Sequence, residues 1–158
     1  MVIQLISAPM FNDTSRNVET LSRSMGEKRG ADLLVFGEAF LQGFDGLTWD
    51  VEKDKDIALS LQDDVIKLLR GLAKEYSVAV SFGFYEKEQR TIYSSNLFID
   101  KNGDVLDVYR RVSKTWTVKD AGQQYKTGDD FHTFHFMDKK LLVAICGDLW
   151  FAENLNRI

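Results

Sequence analysis

The sequence predicts an α/β layered fold built around a largely buried mixed sheet. Two units, each a strand followed by a helix, occupy the first half of the chain, and apolar strands joined by tight turns follow them. Near the end, the apolar run from Leu141 to Ile145 leads directly into Cys146 and a predicted helix start. Strands and helices that alternate in this way pack as layers around one core, so the three observations favour an α/β fold.

The first strand-helix unit is marked by its end signals. An apolar run over residues 2–7 predicts the first strand, and the single proline, Pro9, ends it. Residues 15–29 are predicted to form a helix, because potential N-caps at residues 12–15 precede an apolar face with helical spacing. Gly30 then ends that helix, as glycine commonly does.

The second strand-helix unit begins with a more apolar strand. Residues 31–36 are apolar except for Asp32, which is typical of a strand buried on both faces. Residues 39–50 contain several aromatic residues and glycines, and they are predicted to form a loop at the carboxyl end of that strand. Apolar residues then recur at helical spacing, so we predict one continuous helix over residues 53–76.

Strands dominate the remainder of the chain. Apolar or alternating runs predict strands at residues 77–85, 92–100, 105–110, 131–136 and 140–145. Residues 111–130 form a long segment without clear periodicity, and long ordered loops of this kind often carry function. No repeat or linker interrupts the pattern, so we expect a single domain over residues 1–158.

Composition excludes several classes of protein. The chain is 44% hydrophobic and 28% charged with a net charge of −4, which is ordinary for a globular protein and argues against a nucleic-acid partner. No apolar run has the length of a membrane span, and we expect no membrane partner. One cysteine cannot form an internal disulfide, so we expect a cytoplasmic protein. His132 and His135 would face opposite sides of a strand, which makes them a poor metal-binding pair.

Three weak signals for chemistry lie at the carboxyl ends of predicted strands, where active sites of α/β folds gather. Glu38 could act as a general base, and the basic cluster Arg110, Arg111 and Lys114 could stabilise an oxyanion. Cys146 lies at a strand-to-helix turn, where nearby N–H groups ease deprotonation of a thiol. Taken singly, a free cysteine is more often a small buried hydrophobe and a charged side chain is more often solvated. Together they predict a Cys/Glu/cation site for acyl transfer.

Three blocks of the sequence resemble the carbon–nitrogen hydrolase (nitrilase/amidase) superfamily. The first, residues 30–44, is similar to the family's strand that ends in a catalytic glutamate. The second, residues 103–111, is similar to the strand that delivers a catalytic lysine. The third, residues 145–153, matches the pattern Cys-x-Asp-x-x-Phe-x-Glu of the nucleophile turn. Asn17 and Gly128 also stand where the family usually has these residues.

The resemblance implies a four-layer α-β-β-α sandwich with a Cys–Glu–Lys triad. Cys146 would attack an amide carbonyl or a nitrile carbon to give a thioester, and Glu38 would relay the protons. The lysine would stabilise the oxyanion together with the N–H group of Gly147. The resemblance implies no metal and no organic cofactor, and a small-molecule amide or nitrile as substrate. A homo-oligomer is expected for a different reason, namely the surfaces that an incomplete domain leaves uncovered. The aromatic residues near Glu38 and Cys146 favour a small or apolar acyl group.

The chain departs from the family pattern at the cation. The pattern Tyr-Arg-Lys would place the lysine at position 111, where this chain has Arg111. We place Lys114 first because a loop is expected there, and keep Arg111 as the alternative, since three residues along a regular strand reverse the side-chain direction. Gly37 also stands where family members commonly have a proline before the catalytic glutamate. A second glutamate is not evident in the following loop, where Asp120 is the only acid between Arg111 and Gly128.

The chain stops at Ile158, within the helix expected after the nucleophile turn, so we expect a truncated domain whose sandwich is incomplete at its C-terminus. Uncovered sheet edges would favour association. Two alternatives to a hydrolase therefore stay open. One is a catalytically silent fragment that oligomerises or acts as an interaction module. The other is a redox sensor that needs a reactive Cys146 but no Glu38.

Overall fold

The computed structural model describes residues 1–158, and its centre is a six-stranded mixed sheet with the order β1-β2-β3-β4-β5 and a short β6 beside β4. Its strands are β1 Ile3–Leu5, β2 Leu33–Val35, β3 Ala79–Glu88, β4 Thr91–Ile99, β5 Val105–Arg110 and β6 Tyr125–Lys126. The first three strands are parallel, whereas β3, β4 and β5 form antiparallel hairpins. The predicted mixed sheet is therefore confirmed.

Two of the four α-helices cover one face of this sheet. The α-helices are α1 Thr14–Gly26, α2 Val51–Ile57, α3 Asp64–Tyr76 and α4 Ala152–Leu155. Apolar side chains of α1 and α3, among them Leu21 and Leu69, pack on Val80 and Phe82 of β3 in the largest core of the molecule. Each fully buried side chain of this size contributes about 1.5–3 kcal/mol of stability. None of the helices combines the length and the apolar character that a membrane crossing requires.

A second, smaller sheet lies on the opposite face. It pairs β7 Thr133–Phe136 with β8 Lys139–Leu142 in antiparallel register. The rings of Phe134 and Phe136 both pack edge-on against Phe98 of β4, with centroids 4.9 Å and 5.0 Å apart. The layer order is therefore helix, sheet, sheet, which corresponds to three layers of an α-β-β-α sandwich.

The single helix predicted over residues 53–76 is wrong, because the structure divides it into α2 and α3. Between them, the Leu59 N–H donates to the Tyr85 carbonyl at 3.0 Å, so the chain pairs locally with β3. The Asp63 side chain then accepts the Ser60 N–H at 2.8 Å and closes a turn before α3. Helical spacing of apolar residues continues across this break, and it therefore concealed the strand contact.

Residues 111–130 are more regular than predicted, whereas the segment around Cys146 is less regular. Residues 111–130 contain a 3-10 turn over Lys114–Trp116 as well as β6. The strand predicted over residues 140–145 is β8, which ends at Leu142. A second 3-10 turn, Cys146–Trp150, follows before α4 begins. At Cys146 the chain therefore makes a 3-10 turn where the strand was expected to lead directly into a helix.

Candidate active site

A glycine in β3 positions the loop that carries Glu38. The Gly83 N–H donates to the Gly37 carbonyl at 3.0 Å, and the Gly83 carbonyl accepts the Leu41 N–H at 3.1 Å. A Cβ atom on Gly83 would lie 2.4 Å from the Ala39 nitrogen and 2.7 Å from the Glu38 Cα. Only glycine allows this approach of two backbones. This close approach holds Glu38 at the end of β2, and the Glu38 side chain is 15% exposed.

Two buried amide side chains hold the rest of this loop. The Gln42 amide donates to the Tyr85 carbonyl and accepts the Tyr85 N–H, both at 3.0 Å, as a strand neighbour would. The Asn17 amide of α1 donates to the Leu41 carbonyl at 3.3 Å and accepts the Phe11 N–H at 2.9 Å. The loop is thereby tied to both the sheet and the helix layer. Nothing in the sequence indicated the role of Gln42.

Asp148 holds the turn that presents Cys146. Its buried carboxylate accepts hydrogen bonds of 2.7–3.1 Å from the N–H groups of Val112, Ser113 and Ile145 and from the Tyr109 hydroxyl. Cys146 itself has a left-handed φ of 42°, which costs a non-glycine residue about 1–3 kcal/mol and persists only where neighbouring contacts impose it. Asp148 supplies those contacts, and it joins the cysteine turn to the segment that follows β5.

Arg111 is the buried cation of the site. Its side chain is 3% exposed, and its Nη1 pairs with a carboxylate oxygen of Glu38. Its Nε donates to the Ser113 hydroxyl at 2.8 Å, and its Nη2 donates to the Thr115 hydroxyl at 2.5 Å. Every nitrogen of the guanidinium therefore has a partner, which fixes the positive charge next to the Glu38 carboxylate.

Gly147 is required by the packing of this cation. A Cβ atom at position 147 would lie 2.4 Å from the Arg111 Nη2 and 2.2 Å from the Thr115 hydroxyl. Any larger residue would displace one of these groups. The backbone that follows Cys146 therefore runs directly beneath the Arg111 guanidinium.

Lys114, which was placed first for the cation role, lies elsewhere. It is exposed, and it lines a separate polar depression together with Gly122 and Lys126. Lys114 could reach the site only if the strand ended near Arg111, and β5 does end at Arg110. However, the Ser113 N–H donates to Asp148, and Lys114 then points outwards. Asp120, the only acid between Arg111 and Gly128, is also exposed. The geometry thus brings Glu38, Arg111 and Cys146 together and leaves Lys114 outside.

The electrostatic environment of Cys146 differs from the prediction. Partial desolvation raises the pKa of its thiol, and the negative charge of Glu38 raises it further, while Arg111 acts in the opposite direction. The turn was expected to ease deprotonation, and the Gly147 N–H does act in that direction, but desolvation and Glu38 outweigh it. The raised pKa favours the neutral thiol in the resting site, so a base is needed when the sulfur attacks.

Cys146, Glu38 and Arg111 line one cavity of about 340 Å³. Its remaining wall is largely aromatic, and the rings belong to Phe44, Trp49, Tyr85, Trp116 and Trp150. Trp116 stacks on Tyr85 with centroids 6.3 Å apart, and lies 6.0 Å from Trp49. A cavity of this size suits a small organic molecule.

A second cavity of about 390 Å³ reaches Cys146 and Glu38 from the other side, between the two sheets. Its lining is mainly aliphatic and aromatic, and includes Val35, Phe98 and Val143. Glu38 and Cys146 thus lie between two cavities, of which one is aromatic with charged groups and the other is largely apolar.

The histidines take no part in this site. His132 contacts the Asp107 carboxylate at 2.7 Å, and His135 is exposed on β7. No group of three or more His, Cys, Asp or Glu side chains in residues 1–158 is arranged to hold a metal ion.

Comparisons with known proteins identify relatives over nearly the whole chain. A model of the carbon–nitrogen hydrolase family matches residues 2–158. A probable nitrilase of Schizosaccharomyces pombe is 30% identical over 154 residues, which cover 92% of this chain and 54% of the relative. An N-carbamoylputrescine amidase of Solanum tuberosum is 31% identical over 152 residues, which cover 90% of this chain and 49% of the relative.

Solved structures show the same fold. The crystal structure of an amidase from Nesterenkonia sp. matches with a TM-score of 0.76 at 17% identity, and the match covers 98% of this chain and 59% of the amidase. The chain thus spans roughly half the length of the relatives that it resembles. Since the family model spans residues 2–158, the chain belongs to the carbon–nitrogen hydrolase family.

Proposed function

We propose that this site hydrolyses a carbon–nitrogen bond of a small amide, carbamoyl compound or nitrile through a thioester on Cys146. The observation that carries the proposal is the meeting of Cys146, Glu38 and Arg111 at one small cavity. Membership of the carbon–nitrogen hydrolase family supports it, as do the names of the relatives, which include nitrilases and amidases.

For an amide substrate, the first half-reaction forms the thioester. Glu38 takes the proton of Cys146 while the sulfur attacks the carbonyl carbon, and the carbonyl oxygen becomes an oxyanion. The Gly147 N–H and the Arg111 guanidinium stabilise that negative charge. Glu38 then gives the proton to the leaving nitrogen, the carbon–nitrogen bond breaks, and ammonia or an amine departs.

The second half-reaction releases the acid. Glu38 takes a proton from a water molecule, whose oxygen attacks the thioester carbon and forms a second oxyanion at the same position. The carbon–sulfur bond then breaks, and Glu38 returns the proton to the sulfur. One water is consumed, and the carboxylic acid and the neutral thiol are formed.

The raised pKa of the Cys146 thiol is consistent with this sequence of steps. A neutral thiol needs a base at the moment of attack, and Glu38 is the adjacent carboxylate. We assign the cation role to Arg111 rather than Lys114, because Arg111 contacts Glu38 and packs over Gly147. Arginine keeps its charge throughout and offers a planar set of donors, so it stabilises an oxyanion without taking part in proton transfer.

A second candidate function is a catalytically silent module that associates through exposed apolar side chains. Leu5 is 78% exposed on the edge strand β1, and Trp150 and Leu155 are 68% and 54% exposed near the C-terminus. Surfaces of this kind favour a homo-oligomer, which sedimentation of the purified chain would detect.

We also propose a cytoplasmic location, because a single cysteine cannot form an internal disulfide.

The test combines turnover with trapping of the intermediate. The chain is incubated with small amides, N-carbamoyl amines and nitriles, and the released nitrogen product and acid are measured. Acid quenching followed by intact-mass analysis then looks for an acyl group on Cys146. The expected result is turnover with an acylated wild type and neither in Cys146→Ala. Turnover that survives in Cys146→Ala overturns the mechanism, and a native thiol that is never acylated favours the silent module.

A further inference from the structure

We infer that Asp45 makes the aromatic cavity selective for substrates that carry a positive charge a few bonds from the scissile carbon–nitrogen bond. This inference rests on the proposed function, because it names the substrate class of the same site. Asp45 lies in the loop that follows Glu38; it is exposed to solvent, and it also lines the cavity that contains Cys146. It takes part in none of the ion pairs of the chain.

The charges around the cavity leave Asp45 uncompensated. Of its lining residues, only Glu38, Asp45 and Arg111 carry a fixed charge, and Arg111 is already paired with Glu38. Burial raises the pKa of Tyr85, and the charges of Glu38 and then Asp45 raise it further, so this hydroxyl stays neutral. With Glu38 paired to Arg111, Asp45 gives the lining of the cavity a net negative charge.

The aromatic walls suit the same kind of ligand. Tryptophan faces attract ammonium and guanidinium groups more strongly than the other aromatic rings do. Trp49 and Trp116 line the interior with centroids 6.0 Å apart, and Trp150 lies at the exposed rim. A carboxylate beside such rings is a combination that binds organic cations and repels anions. The apolar acyl group expected from the aromatic residues alone therefore needs a cationic substituent.

Matched substrates test the inference in turnover. The cationic 5-aminopentanamide is compared with the neutral hexanamide of the same length, and kcat/KM is measured for both. We expect the wild type to prefer the cation by about tenfold, the effect of one charge pair in a partly solvated site. Asp45→Asn should abolish most of this preference. The matched control Asp56→Asn removes an exposed charge on α2, outside the cavity, and should leave the preference unchanged.

A second measurement does not depend on turnover. Cys146 is modified with a cationic and an anionic methanethiosulfonate of similar size, and intact mass gives both rates. The cation should react faster in the wild type, and Asp45→Asn should reduce the ratio of the two rates by about tenfold. If no amide is hydrolysed but this ratio changes as expected, the proposed hydrolysis fails and the cation selectivity stands. If Asp45→Asn and wild type give equal ratios in both assays, the inference is overturned.

Discussion

The helix-covered face of the six-stranded sheet is filled almost entirely by apolar side chains, whereas the other face carries the charged groups of the candidate site. The first face holds a core cluster of 16 buried residues, and the second holds one of 5. Where that smaller cluster ends, the buried Arg111 pairs with Glu38 next to Cys146. One sheet thus separates the part of the molecule that stabilises the fold from the part that presents its chemistry.

This separation explains how the charged face is tolerated. A buried ion pair gains little net stability, because both charges must leave water. Arg111 and Asp148 are nevertheless held in place, since each has its hydrogen-bonding groups satisfied by neighbouring loops. The hydrogen bonds that fix these two side chains therefore come from loops on their own side of the sheet and not from the helix layer. Substitutions on the two faces should have different consequences.

The largest effect on stability is expected from the helix face. Leu69→Ala removes a fully buried side chain of α3 and should lower the free energy of unfolding by about 2–5 kcal/mol, as measured by chemical denaturation. Its neighbour Leu68 is 51% exposed, so Leu68→Ala is the matched control and should change stability by less than about 0.5 kcal/mol. The alkylation rate of Cys146 in the folded protein should be the same in both variants. A changed rate in folded Leu69→Ala would show that the two faces are not independent.

The next largest effect is expected at the cation. In the proposed mechanism Arg111 stabilises the oxyanion, so Arg111→Met should lower kcat by about 10²–10³-fold, the usual loss for such a donor. Arg110→Met is the matched control, because Arg110 pairs with the buried Glu86 on the same sheet, outside the catalytic cavity. Arg110→Met should destabilise the fold, but the kcat of the folded fraction should be unchanged. Equal losses of kcat in the two variants would contradict the role of Arg111.

A smaller effect is expected at Asp148. Asp148→Asn keeps the shape of the side chain but loses acceptor capacity, so at least one of its backbone donors is left unpaired, at a cost of about 1–3 kcal/mol. Hydrogen exchange of the Ile145 and Ser113 amides should become faster. Asp138→Asn, in the exposed turn between β7 and β8, provides the control and should leave this exchange unchanged. Unchanged protection in Asp148→Asn would mean that other contacts hold the turn.

Much of the fold and part of the site could be predicted from sequence. The strands β3, β4 and β5 were predicted because apolar runs between turn signals depend on local sequence. Glu38 and Cys146 were placed close together because both follow strands of one predicted sheet. These inferences needed only chain order and periodicity. The same reasoning could not foresee the break before α3, since the contact between Leu59 and Tyr85 is tertiary.

The finer features of the site depend on contacts between distant segments. Asp148 directs the chain after Arg111, so the exposure of Lys114 could not be read from residues 105–116 alone. The raised pKa of the Cys146 thiol arises from desolvation and from Glu38, which lies far away in the sequence. The sequence around the turn predicted a lowered pKa for this thiol, because only the N–H groups of the turn could be inferred from it.

Glu38 lines the same cavity as Cys146 and, in the proposed mechanism, takes the proton of its thiol. The most direct test is the rate of Cys146 alkylation by iodoacetamide as a function of pH, in the wild type and in Glu38→Gln. The wild type should titrate at a higher pH than an ordinary cysteine thiol, because desolvation and the Glu38 charge disfavour the thiolate. Glu38→Gln removes that charge, so its midpoint should move to lower pH and its alkylation at pH 8 should be faster, although amide hydrolysis is lost. Identical profiles, or a shift to higher pH in Glu38→Gln, would contradict the account.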